Sequence, residues 1–101
     1  MWAVFSSQVT LARGNIMQYP ILPFKPYVKR RYKTLPEDIR QKIDEALRQL
    51  AKDFSHSGLH TKAYRGNTKC FKIWQSRYSG KGRILWRLLG QSIDIEDFVS
   101  Y

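Results

Sequence analysis

The feature that most constrains this chain is a change in apolar period partway along it. Ile39, Ile43, Ala46, Leu47, Leu50, Ala51 and Phe54 recur at steps of three and four, which gathers them into one stripe along a helix. Beyond a turn at 55–58 the step falls to two, over segments punctuated by Gly, Asn and Ser. A helix buries a stripe and a strand buries a face, so a chain that passes from one period to the other must layer helices on a sheet.

The period-two part predicts strands at 59–64, 70–75, 82–88 and 92–98. Gly66-Asn67, Ser79-Gly80-Lys81-Gly82 and Gly90-Gln91 supply the turns between them. Parallel crossovers need about a dozen residues or more, so these short connections predict antiparallel neighbours. Upstream, 18–24 has strand composition. Pro20 and Pro23 lack the N–H a ladder needs, which predicts an edge or interrupted strand. From Lys25 the pattern turns helical, with Tyr27, Val28, Tyr32 and Leu35 near one face. Thr34 and Glu37 are spaced for a capping box around Pro36, and Glu37 and Asp38 suit the positive end of the second helix. The fold class is therefore α+β, with an N-terminal strand and a helical hairpin packed on one face of a mainly antiparallel four- to five-stranded sheet. A length of 101 residues suits one domain. Met17 immediately precedes the patterned region, so 17–101 reads as the domain and 1–16 as an N-terminal extension, either a flexible tail or a start-site artefact.

Charge narrows the function. Lys and Arg number 18 against 8 Asp and Glu, a formal net charge of +10. Such a field draws polyanions, nucleic acid being the commonest, although an acidic protein or an anionic surface answers it too. The eight acids lie within 37–53 and 94–97, while 54–93 between them holds eight basic residues and no acid. This acid-free stretch is expected to face the polyanion. Its apolar runs are a few residues long, far below the roughly 18 to 20 of a spanning helix. The opening lacks a secretory signal, and the single Cys70 excludes an internal disulfide framework. A cytoplasmic protein without a membrane partner is expected. His56 and His60 have ligand-like spacing but no companion ligands, so they read as a surface turn; neither metal nor cofactor is expected.

Strand alternation gives a concrete expectation about faces. Phe71 and Ile73 share one side of their strand and Lys72 and Trp74 the other; Ile84, Trp86 and Leu88 oppose Arg83, Leu85 and Arg87. The helices should cover Phe71, Ile73, Ile84, Trp86 and Leu88, leaving Lys72, Trp74, Arg83 and Arg87 bare. Cations around an indole suit single-stranded RNA, because the cations neutralise phosphates and a stacked base contributes about 1–3 kcal/mol. Lys62, Lys69, Arg77 and Lys81 extend the expected nucleic-acid contacts. A solvated sheet face is the competing reading, and the acid-free stretch favours binding. The Ser79-Gly80-Lys81-Gly82 segment lacks phosphate-loop spacing and reads as a hairpin loop.

Tyr32-Lys33-Thr34-Leu35-Pro36 with the helix after it, then Leu59-His60-Thr61-Lys62 and Gly66, then Cys70-Phe71-Lys72-Ile73 and Gly82-Arg83-Ile84-Leu85-Trp86, form an ordered series. Over about 18–99 the chain thereby resembles the RelE/ParE toxin superfamily. The resemblance implies a toxin held inactive by a cognate acidic antitoxin and, in the RelE branch, an endoribonuclease that cuts messenger RNA in the ribosomal A site. It also implies an active surface with a lysine at Lys72, an arginine at Arg83 and a tyrosine after the last strand, for which Tyr101 is the candidate. In that reaction the RNA 2′-hydroxyl attacks the adjacent phosphate, a base takes its proton, cations stabilise the phosphorane and an acid protonates the leaving oxygen. Arg83 would clamp the phosphate and Lys72 would be the base, its pKa lowered by neighbouring cations. His60 is a further candidate acid or base. Trp74 stands where the branch often has a second basic residue, and the branch's further arginine has no evident counterpart before Tyr101. Two other readings stay open: a ParE-like, non-enzymatic inhibitor of DNA gyrase, and a degenerate member that binds RNA or an antitoxin without catalysis.

Overall fold

The computed structural model describes residues 19–66 and 68–100; the extension at 1–16, Met17, Gln18 at the start of the expected strand, Asn67 and the candidate Tyr101 lie outside the described residues. The first helix, α1 (Pro26–Thr34), opens on a proline whose fixed φ suits a first turn, and Arg31 and Lys33 face its negative end. It stops because Leu35 precedes Pro36 and is held extended, at φ −81° and ψ 149°. The second helix, α2 (Glu37–Lys52), begins directly after Pro36, which occupies the N-cap position. Thr34 is therefore too far upstream to cap it. The expected capping box is replaced by a bond from Thr34 Oγ1 to the Arg31 carbonyl at 2.7 Å. Glu37 and Asp38 do lie in the first turn, as expected.

A short 3-10 turn (Ser57–Leu59) leads into four strands: β1 (Lys62–Ala63), β2 (Trp74–Arg77), β3 (Gly82–Leu89) and β4 (Ser92–Ser100). They form one antiparallel sheet in the order β1-β2-β3-β4. β1 is shorter than expected because the 3-10 turn consumes and buries Leu59, and His60 then adopts a left-handed φ of 49°. β2 starts later than expected, although Tyr64 N still donates to the Ile73 carbonyl at 2.9 Å. Gly90, at φ 61°, makes the tight turn that lets Leu89 pair with Ser92. The N-terminal strand is a single parallel bridge, Ile21 to Ile93. Ile93 N donates to the Pro20 carbonyl and Leu22 N to the Ile93 carbonyl. Pro20 thus supplies the one backbone group a proline can offer.

The core lies between the helices and one sheet face. Val28 of α1, Ile43, Leu47 and Leu50 of α2, Ile84 and Trp86 of β3 and Ile93, Ile95 and Phe98 of β4 are buried together. Each such side chain contributes about 1.5–3 kcal/mol relative to exposure. Opposite Leu85 and Trp86 the β4 partner jumps from Asp97 to Ile95, so Glu96 is an extra residue in a bulge. That bulge allows Ile95 and Phe98, three apart, both to reach the core.

Strand register also reverses part of the expected face assignment. Trp74 lies directly opposite Trp86, and directly opposed residues project to the same side. Trp74 therefore faces the helices, packed against the core, instead of the bare side. Phe71 and Ile73, expected beneath the helices, turn to the other side with Leu85. Ile84 and Trp86 lie where expected, fully buried, whereas Leu88 at the hairpin end stays 38% exposed. Among the described residues no helix is long and apolar enough to cross a membrane.

Candidate nucleic-acid interface

The sheet face away from the helices has an apolar floor of Ile73 and Leu85 and a row of charged groups above it. At its centre Arg87 Nε meets Asp94 Oδ2 and Glu96 Oε2, both at 3.3 Å, and its guanidinium lies 4.0 Å from the centre of the Phe71 ring. Lys25, from the segment before α1, reaches the same two acids at 2.7 Å to Glu96 and 3.3 Å to Asp94. Arg31 of α1 binds Asp97 at 2.7 Å, and the Tyr27 hydroxyl donates to the Glu96 carbonyl at 2.7 Å. Burial would lower the Lys25 pKa, but the hydrogen bonds it donates to Glu96 and Asp94, and the charge of those acids, outweigh it and hold the ammonium above its ordinary value. The centre of the face is thus a compensated ionic lattice.

The cationic character lies at the rim. Lys62 pairs across from Gln75 and so projects to this face, exposed. Lys69 is exposed with its ammonium 5.9 Å from the Phe71 ring centre, and Lys81 is exposed in the β2–β3 hairpin. Arg83 is held at that hairpin by three main-chain carbonyls, of Ser79, Gly80 and Gly82, at 3.2, 3.3 and 2.9 Å from its Nη1. Arg77 lies directly opposite Arg83, half-buried, and its Nε is buried without a hydrogen-bond partner among the described residues. The Ser79-Gly80-Lys81-Gly82 segment is a hairpin loop, with Ser79 Oγ accepting from Gly82 N at 2.9 Å.

Of the expected catalytic residues Lys72 and Arg83 are described, and the structure does not bring these two together. Lys72 lies with Trp74, its ammonium 4.7 Å from that ring centre, so it is turned from the face that holds Arg83 and Arg87. The orientation expected for Lys72 and Trp74 on the bare face is corrected accordingly: the Trp74–Trp86 pairing fixes their side. Arg87 is on the bare face as expected but committed to two carboxylates. His56 Nδ1 accepts from Gly58 N at 3.0 Å and caps the 3-10 turn; His60 is exposed beside it.

The sequence reading missed Lys25, Tyr27, Tyr64, Asp94 and Glu96. A signal for the last two was present: Asp94 and Glu96 alternate with Ile93 and Ile95, which sets both acids on the side opposite the core. A two-residue turn at Gly90-Gln91 then places Asp94 opposite Arg87.

No protein-family model and no curated protein matches this chain. Among solved structures it is similar to the archaeal RelE-RelB complex from Pyrococcus horikoshii OT3, with a TM-score of 0.64 at 14% identity, over 82% of this chain and 94% of that one. Two helices laid on one side of a four-stranded antiparallel sheet, in the same arrangement as that neighbour, make the architecture of this chain RelE-like.

Proposed function

We propose that this chain is the toxin of a toxin–antitoxin pair and that it acts on messenger RNA at the ribosome as an endoribonuclease. The observation that carries the reading is Arg83, a guanidinium held by three hairpin carbonyls at the rim of the bare face of a RelE-like sheet. A preorganised cation of this kind needs no rearrangement to meet the charge that builds on a phosphorane. The RNA itself supplies the nucleophile, its 2′-hydroxyl. Lys62, Lys69, Arg77 and Lys81 around the rim would hold flanking phosphates, and the compensated centre would lie under the strand without repelling it. Because Lys72 projects to the other side, it is not assigned as the base. An acidic antitoxin is the expected partner, its charge complementary to the same rim.

The experiment is induction of the chain in bacterial cells, followed by mapping of transcript 5′ ends. Codon-phased cuts that disappear with Arg83→Ala support the reading. Growth arrest with intact transcripts and DNA damage would instead identify DNA gyrase as the target, and no arrest would leave only a binding module.

A further inference from the structure

The bare face contains a hollow of about 220 Å³ between α1 and the loop before β2. Its floor is Ile73 and Leu85, Tyr27 and Tyr64 line it with two aromatic rings, Glu96 and Asp97 bring carboxylates to it, and Thr68 and Lys69 of the loop bring donors. Two tyrosines over an apolar floor suit a flat, polarisable ring. The carboxylates define which ring. Glu96 binds Lys25 through Oε2, and Asp97 uses Oδ1 for both Arg31 and its neighbour's amide, Phe98 N at 2.8 Å. Glu96 Oε1 and Asp97 Oδ2 accept no hydrogen bond from the described residues. The acids therefore supply the hollow with acceptors, beside the donors that Thr68 and Lys69 bring from the loop, for an edge that pairs two donors with a carbonyl oxygen.

Charge separates two kinds of occupant. Were the acids unpaired, a cationic side chain would be the natural guest. Lys25 and Arg87 already offset Asp94 and Glu96, and Arg31 offsets Asp97, so a further cation would gain little. A neutral ring carrying adjacent donors fits instead. Guanine presents N1–H and its 2-amino group side by side; adenine and cytosine present a donor beside an acceptor, and uracil a single N–H between two carbonyls.

A second cleft, of about 280 Å³, adjoins the first across Tyr64 and Gly66, which line both. Lys62 and Arg65 line this cleft, and neither forms an ion pair among the described residues. An aromatic hollow with acceptors next to a cleft with two uncompensated cations is the pattern a nucleotide would require, base in one and phosphate in the other.

We propose that the hollow is a base subsite selective for guanine, with the phosphate of the same nucleotide in the Lys62 and Arg65 cleft. This rests on the RNA-directed reading above and adds base selectivity to it. The test is fluorescence anisotropy of the full chain with the single-stranded pentanucleotides UUGUU, UUAUU and UUIUU, where I is inosine, which lacks the 2-amino group. UUGUU should bind about tenfold more tightly than UUAUU, the scale of one good base-edge contact, with UUIUU between them. Asp97→Asn and Tyr27→Leu should lower UUGUU toward UUAUU, whereas Lys62→Ala should weaken all three alike. The inosine comparison decides the matter even if a variant folds poorly. Equal affinity for the three oligonucleotides overturns the guanine subsite and leaves RNA binding standing. No RNA binding, with an arginine-rich peptide bound in its place, overturns both.

Discussion

Trp74 and Trp86 lie directly opposite each other across β2 and β3, with ring centres 6.2 Å apart and planes inclined by 25°. Trp86 is fully buried, and Trp74 covers it from the neighbouring strand, half-buried. This pair decides which side of β2 meets the helices and, through it, which cations reach the bare face. Truncation of a core tryptophan costs about 3–5 kcal/mol, and Trp74→Ala, being half-buried, should lose about 2 kcal/mol in urea unfolding. Its affinity for single-stranded RNA, measured on the folded fraction, should not change. A selective loss of RNA affinity without loss of stability would contradict the packing role.

A polar thread crosses the core beside that pair. Trp86 Nε1 donates to Ser76 Oγ at 2.9 Å, and the Ser76 and Thr61 hydroxyls lie 2.7 Å apart. Thr61 Oγ1 donates to the Phe54 carbonyl at 2.7 Å, so the proton between the two hydroxyls comes from Ser76. Every donor in the thread has one acceptor. Ser76→Ala would strand the indole N–H in the interior and should cost about 1–3 kcal/mol. Chemical denaturation measures this directly; a neutral substitution would show that water replaces the hydroxyl.

Arg87 and Lys62 are both basic and both on the bare face, yet they should behave oppositely. Arg87 is bound to Asp94 and Glu96, which are 8% and 6% exposed in their side chains. Arg87→Ala leaves those acids to Lys25 alone and should cost about 2 kcal/mol of stability, below the 3–5 kcal/mol of a fully buried pair because Arg87 is partly exposed. The salt dependence of RNA binding should be unaltered. Lys62→Ala should leave stability unchanged and reduce the log-log salt slope by about 0.7, the value for one phosphate on a single strand. Titrations of one oligonucleotide at several salt concentrations separate the two cases.

The fold should weaken at high pH through Tyr32. Burial, together with its bond to Asp44 at 2.7 Å, pushes the Tyr32 hydroxyl from 10.0 to about 12. A group whose folded pKa is raised holds its proton longer in the folded state. Its stabilisation is complete below pH 10.0 and is lost as pH rises toward about 12. Burial raises Tyr27 and Tyr78 as well, and Lys25 is raised by its acids, so all four groups act in the same direction. Urea midpoints should fall across this range, and Tyr32→Phe should flatten part of the fall. An unchanged pH profile in Tyr32→Phe would exclude that assignment.

How much was legible in the sequence follows from the range of each interaction. The α2 stripe from Ile43 to Ala51, the onset of α1 within one residue of the expected Lys25 and the Gly90 turn depend on neighbours a few residues away, and all were readable. The acid-free stretch at 54–93 was equally visible, but its meaning was not. The β3–β4 hairpin folds Asp94 and Glu96 back onto Arg87, so the central cation of that stretch is compensated by acids that lie outside it.

By itself, the sequence determined the kind and order of the elements, the antiparallel sheet and the cationic excess, because periodicity, turn chemistry and charge are local properties. Tertiary structure alone decided which side Trp74, Lys72, Phe71 and Ile73 face and which cations remain uncompensated. Alternation within a strand separates its two faces but does not say which is inward. That choice came from pairing Trp74 with Trp86, and the bulge at Glu96 set Asp97 on the bare side beside Asp94 and Glu96.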